Sequence, residues 1–168
     1  MDLKKTLIIY DAIHQVMEFP QHFAPLLLDL VNLPSVQRLR RIKQQSLSDL
    51  VFPTATHTRL SHALGTAFLS GRILGQIKKQ GFLKEFDEKD EKILLSASLL
   101  HDIGHGPFSH TFETFLKRIG IDLKHEEWTE SILSSAPFTE TFAKHGLEDS
   151  IQLITNIRRQ VRRDQVSC

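Results

Sequence analysis

The chain has 168 residues, 40% hydrophobic and 24% charged, and its 21 Lys and Arg against 20 Asp and Glu leave a net charge of +1. That length fits one domain, residues 1–168, around one core. The composition excludes a disordered chain, the single cysteine (Cys168) excludes a disulfide scaffold, no apolar stretch is long enough to cross a bilayer, and the near-neutral balance argues against nucleic acid or an anionic membrane as partner.

The elements follow in order. Leu7 to Tyr10 and Val16 to Phe19 are short β-rich runs that fit a small hairpin closed by Pro20. Asp11 interrupts the apolar start too early for a secretory leader, so the expected location is cytoplasmic. Helical periodicity then runs from His22 to Val31 and from Ser35 to Gln45, until Val51-Phe52-Pro53-Thr54 breaks it. A long helix is expected from Thr58 to Gln80, stopped by Gly81. Leu60, Ala63, Leu64, Ala67, Phe68 and Leu74 form one stripe of it, with Leu69 and Ile73 opposite. Apolar on two faces, this helix should be central, and His62, near the angle of Leu69 and Ile73, should be buried or line a cleft with Arg59 on much the same side. The next helix, Glu88 to Ile103, is apolar nearly all round from Ile93 to Leu100 and runs into His101-Asp102. After Gly104 and Gly106-Pro107, further helices are expected at Phe108 to Ile119, His125 to Ser134, Pro137 to Lys144 and Leu147 to Arg158. Arg158, Arg159, Arg162 and Arg163 read as a solvated helix end or a phosphate or partner contact. The fold class is all-α with a small N-terminal β-hairpin.

Four of the nine histidines, His101, His105, His110 and His125, fall between residues 101 and 125, where uniform scatter would place about one. A His-Asp pair ending an apolar helix must be hydrogen-bonded, ion-paired or metal-bound. Metal would satisfy both groups, and His62 on the preceding helix would complete a two-His, one-Asp set suited to Mn, Fe, Zn or Co. A lone buried histidine is more often a hydrogen-bonded core residue, and His105, His110 and His125 taken singly read as capping or surface residues. The glycines fit a plain loop or a backbone held open for a ligand.

Five segments together carry a resemblance. Tyr10-Asp11-Ala12-Ile13-His14, the run Leu33 to Gln44, Phe52 to Gly65 (with Thr58-Arg59-Leu60-Ser61-His62), His101-Asp102-Ile103-Gly104-His105-Gly106-Pro107-Phe108-Ser109-His110 and His125-Glu126-Glu127 resemble, in order, the HD-domain deoxynucleoside triphosphate triphosphohydrolases over about residues 7 to 135. The resemblance implies an HD-domain helical bundle and a divalent metal ion (Mn, Fe, Zn, Co or Mg) on His62, His101 and Asp102. It makes His105, His110 and His125 the cluster that positions water and protonates the leaving oxygen, with Glu113 orienting His110. Gln44 and Arg59 become contacts to a deoxynucleoside triphosphate, or a related nucleotide, cleaved to deoxynucleoside and triphosphate.

The family's later Leu-Asp-Ala-Asp-Arg-like helix, source of a fourth ligand, has no counterpart after His125. The expectation is therefore a shortened or C-terminally divergent member with impaired turnover; the alternative is a non-catalytic truncated HD module binding nucleotide or a protein partner. Gln37 and Arg40 match the family's activator site, whereas Asn32 and Leu7 depart from it. Without the family's C-terminal part, Leu60, Leu64, Phe68 and the Ile93 to Leu100 run should stay open and draw in a second copy or a partner chain, burying at least about 1,000 Å². The alternative is that helices after His125 fold back and seal the core.

Overall fold

The N-terminal hairpin pairs β1 (Leu7–Asp11) with β2 (Gln15–Phe19) in antiparallel register, Leu7 opposite Phe19 and Asp11 opposite Gln15, in a computed structural model that describes residues 7–122 and 124–155, without the His110 side chain. Asp11 closes the turn, its carboxylate accepting from the amides of Ile13 and His14 at 2.9 Å each. Alternation sends Met17 and Phe19 inward and leaves Ile8, Tyr10 and Val16 exposed, so the hairpin covers one side of a helical body.

That body begins with α1 (Ala24–Asn32), whose Leu26, Leu27 and Leu30 are fully buried. Where one helix was expected from Ser35 to Gln45, a single turn, α2 (Pro34–Gln37), passes into a 3-10 turn over Arg38–Arg41. The chain is extended at Ile42, because its backbone is claimed from a distance. The Gln44 amide donates to His57 O at 3.0 Å, and the Arg59 amide donates to Ile42 O at 2.8 Å. Val36 and Leu39 still reach the core, which accounts for the helical periodicity of that segment.

α3 (Arg59–Lys79) starts where Thr58 caps it, the hydroxyl accepting from the Ser61 amide, and ends at Gln80 before Gly81 in the left-handed region (φ +82°). α4 (Glu88–Leu100) begins with a reciprocal capping box between Asp87 and Asp90 and packs along α3, Ser98 donating to Ser70 across the pair at 2.9 Å. Only one face of α3 is buried throughout. Leu60, Ala63, Ala67 and Leu74 lie in the core, whereas Leu69 and Ile73 on the opposite face are exposed.

After a turn at 101–109 come α5 (His110–Arg118), α6 (His125–Leu133), α7 (Ala136–Lys144) and a helical segment at 150–155. Phe108 and Ser109, expected inside α5, instead precede it with positive φ (62° and 51°). Phe138, Phe142, Leu147 and Ile154 are buried with Leu95, Leu99 and Leu100 in one core, so the later helices fold back and seal it. Leu60 and most of the Ile93–Leu100 run are therefore covered within the chain, and Leu64 and Phe68 are only partly open. The expected apolar opening does not form there. The Arg158, Arg159, Arg162 and Arg163 cluster lies outside the described residues.

Candidate metal centre and its histidine neighbours

The first turn of α3 and the C-terminal end of α4 bring His62, His101 and Asp102 together, their ligand atoms all within 4.8 Å of one another. His62 Nε2 and His101 Nε2 are 3.1 Å apart, and the Asp102 oxygens lie 3.8 Å from the former and 3.5 Å from the latter. His101 Nδ1 stands 2.7 Å from Ser98 O, which can only accept. The Nδ1 proton is thereby fixed, and in the neutral ring the Nε2 lone pair is turned toward His62. Such an outer hydrogen bond is what orients an imidazole ligand.

Burial pushes the His62 pKa down, and His101 adds to the shift, so His62 is held in the neutral form that ligates metals. Burial alone would raise Asp102, but the charges of His101, Arg59 and His105 outweigh it and hold the carboxyl below the ordinary range. Two imidazole nitrogens and one carboxylate, half open at the histidines and closed at the aspartate, fit a divalent transition metal. Among the described residues no fourth His, Cys, Asp or Glu joins this group.

Asp102 is 8% exposed and Arg59 3%. The Arg59 guanidinium donates from Nη1 to Asp102 Oδ2 and from Nη2 to Ser109 Oγ. Arg59, the expected substrate contact, is buried as the counter-charge of Asp102. Gln44 Nε2 donates to the same Asp102 oxygen at 3.3 Å, and Gln44 Oε1 is buried without a hydrogen-bond partner among the described residues.

A second group adjoins the first. His105 and His125, both buried, stack with ring centroids 3.9 Å apart and planes 14° apart. His125 donates to Glu113 Oε1 twice, from Nδ1 at 2.8 Å and from its backbone amide at 3.2 Å. His105 Nε2 lies 3.6 Å from Asp102 Oδ1, so one turn of backbone carries a member of each group. Glu113 accepts from His125; the His110 side chain, which Glu113 is expected to orient, lies outside the described residues.

Gly104 makes that junction possible. A Cβ there would stand 2.0 Å from His125 O and 2.4 Å from Thr129 Oγ1, so only glycine lets α6 come close enough for His125 to reach His105. The Gly104 amide donates to Thr129 Oγ1 at 3.1 Å. On the other side of the turn, Arg38 donates from Nη1 to His105 O at 2.9 Å and from Nη2 to Ile103 O. Arg38, Ser109 and Thr129 were not among the residues singled out from the sequence. Arg38 acts on backbone carbonyls and the other two through their hydroxyls, contacts that leave no pattern in the sequence.

The sequence family described as HD domain matches residues 59–164. The chain is 34% identical over 160 residues to the deoxynucleoside triphosphate triphosphohydrolase SAMHD1 homolog of Dictyostelium discoideum, covering 92% of this chain and 29% of that protein. It is 36% identical over 143 residues to deoxynucleoside triphosphate triphosphohydrolase SAMHD1 of Bos taurus (84% and 23%). Against the Homo sapiens protein of the same name the identity is 33% over 141 residues (84% and 22%). The chain thus spans less than a third of the length of these curated relatives.

Proposed function

The chain belongs to the HD-domain family, and on that premise we propose that it is a metal-dependent phosphohydrolase of deoxynucleoside triphosphates, releasing deoxynucleoside and inorganic triphosphate. The observation that carries this reading is the turn in which Asp102, of a metal-fitting group, and His105, of a histidine–carboxylate group, lie three residues apart with Asp102 Oδ1 and His105 Nε2 at 3.6 Å. Fold membership alone would not support it, because function belongs to the site.

His62, His101 and Asp102 would hold the ion, whose contribution is Lewis-acid polarisation of a phosphoryl oxygen. The protein's own groups do the rest. Glu113 accepts the Nδ1 hydrogen bond of His125, so Nε2, which stands 3.3 Å from Glu126 Oε1, would be the nitrogen that exchanges a proton with the departing sugar oxygen. His105, stacked on it, keeps that ring from rotating and shares the handling of the attacking water with His110. Arg59 holds Asp102 ionised and aimed at the two imidazoles. Gln44 is anchored through Nε2, and its Oε1, buried in the free chain, would have to be uncovered to accept from a substrate hydroxyl. No helix of the described residues is long and apolar enough to cross a membrane.

The three-ligand set favours one other reading, a module that binds nucleotide or a partner without turnover. One assay separates the two. The chain, stripped with chelator and reloaded singly with Mn2+, Fe2+, Co2+, Zn2+ or Mg2+, is incubated with deoxynucleoside triphosphates, and deoxynucleoside and triphosphate are quantified beside His101→Ala. Metal-dependent release of both products, abolished in the variant, is expected. Saturable nucleotide binding with no release by any metal form would refute hydrolysis and establish the binding module.

A further inference from the structure

The turn 101–106 sets the spacing of both groups, and it is held from two sides. From α6, Thr129 Oγ1 takes the Gly104 amide and in turn donates to His125 O at 2.8 Å, tying the turn to the residue that stacks on His105. From the 3-10 turn, the Arg38 fork straddles the same glycine, one arm on Ile103 O and the other on His105 O. No side chain of either group touches Arg38 in these bonds.

Arg38 is costly where it stands. Burial disfavours its charge and the Arg59 guanidinium adds repulsion, yet among the described residues it has no carboxylate partner. Surface arginines with freer choices pair with acids or water. A half-buried guanidinium satisfied by two carbonyls two residues apart does one thing a lysine cannot: it fixes their separation and mutual angle, because its donors are rigidly coplanar.

We propose that Arg38 is a positioning residue for the site: by bracketing Gly104 between the carbonyls of Ile103 and His105, it fixes the angle at which Asp102 and His105 leave the turn. This rests on the metal-centre reading above for its chemical meaning, but the device itself is measurable without metal.

The test compares wild type, Arg38→Gln and Arg38→Lys of the full chain, with Leu74→Ala as a core-weakened control some three turns along α3 from His62. In metal-free protein the stacked rings should place the His105 and His125 imidazole protons upfield in proton–nitrogen correlation spectra. In a Co2+ titration the visible absorption of the bound ion reports the ligand arrangement. Arg38→Gln should collapse the upfield shifts, weaken Co2+ affinity ten- to a hundredfold and displace the band. Arg38→Lys should recover thermal midpoint better than it recovers either signature, and Leu74→Ala should lose stability while keeping both. Wild-type-like spectra and affinity within twofold in both Arg38 variants would overturn the proposal, as would the same spectral losses in Leu74→Ala. A wild-type chain that shows the upfield rings but binds no Co2+ would sink the metal-centre reading instead, while the imidazole spectra still decide on Arg38.

Discussion

Replacing Gly104 by alanine tests the packing on which the site depends. The added Cβ would meet His125 O at 2.0 Å, Thr129 Oγ1 at 2.4 Å and the Thr129 amide nitrogen at 2.6 Å. Two of those atoms are backbone, so a side-chain rotation cannot relieve the clash. The start of α6 must retreat by about 1.4 Å to reach ordinary contact at 3.4 Å. Overpacking of that kind costs about 1–3 kcal/mol, and the stretched bond from the Gly104 amide to Thr129 adds roughly 0.5–1.5 kcal/mol. We expect a loss of about 2–4 kcal/mol in urea unfolding, equivalent to roughly 5–15 °C in Tm for a domain of this size. Gly75→Ala is the matched control. An added Cβ there meets nothing within 4 Å and sits inside α3, so the variant should gain up to about 1 kcal/mol. Because α6 carries His125, Gly104→Ala should also lower any phosphohydrolase activity by about a hundredfold or more, the usual cost of an ångström of misplacement. A Gly104→Ala protein within 0.5 kcal/mol of wild type would refute the reasoning, since it would mean that α6 does not press on the turn.

Further outcomes follow from other contacts. His101→Ala should lose divalent metal after chelation and reloading, read by elemental analysis, with Ser98 unaffected because it offers only its carbonyl. Arg59→Met leaves the Asp102 carboxylate buried without its counter-ion and should cost about 3–5 kcal/mol in chelator-treated protein near pH 7, measured by chemical denaturation. Thr58→Ala removes the α3 cap and should cost about 1 kcal/mol by the same measurement. Asp29, which accepts from Lys144 and His145 at 2.8 and 2.7 Å and so ties α1 to α7, has its pKa lowered by those two bonds. Its contribution is full above the unfolded value near 3.8 and is lost as pH falls through the lower folded value; wild type and Asp29→Asn should therefore differ in Tm at pH 7 and converge in strong acid.

Elements whose ends carry local chemistry were legible in the sequence. The bounds of α3 at Thr58 and Gly81 and the start of α4 at Glu88 were expected, and the caps found there, Thr58 and the Asp87 box, satisfy backbone groups within a few residues. The helix expected over Ser35 to Gln45 failed for the opposite reason: His57 and Arg59, far along the chain, take the backbone of Ile42 and Gln44. Leu69 and Ile73 misled by being apolar on a face the fold leaves exposed. In the site, His62, His101 and Asp102 stood out because a histidine and an aspartate at the end of an apolar helix need a reason to be there. Glu113 could be placed near the histidines but not assigned to His125, since α5 and α6 meet only in the folded chain.

The ion pair between Arg59 and Asp102 also sets the charge of the centre. The carboxylate is already balanced by a guanidinium that the core holds in place, and His62 and His101 contribute no charge when neutral. A divalent cation seated on these three residues would therefore keep most of its +2 uncompensated by the protein, in contrast with a centre built from several free carboxylates. Such a centre is a sink for anions: affinity for a polyphosphate should rise with each negative charge it carries and fall steeply as ionic strength shortens the Debye length. Ligand ranking by charge, tripolyphosphate over pyrophosphate over phosphate, would then be a property of one buried arginine as much as of the metal it faces.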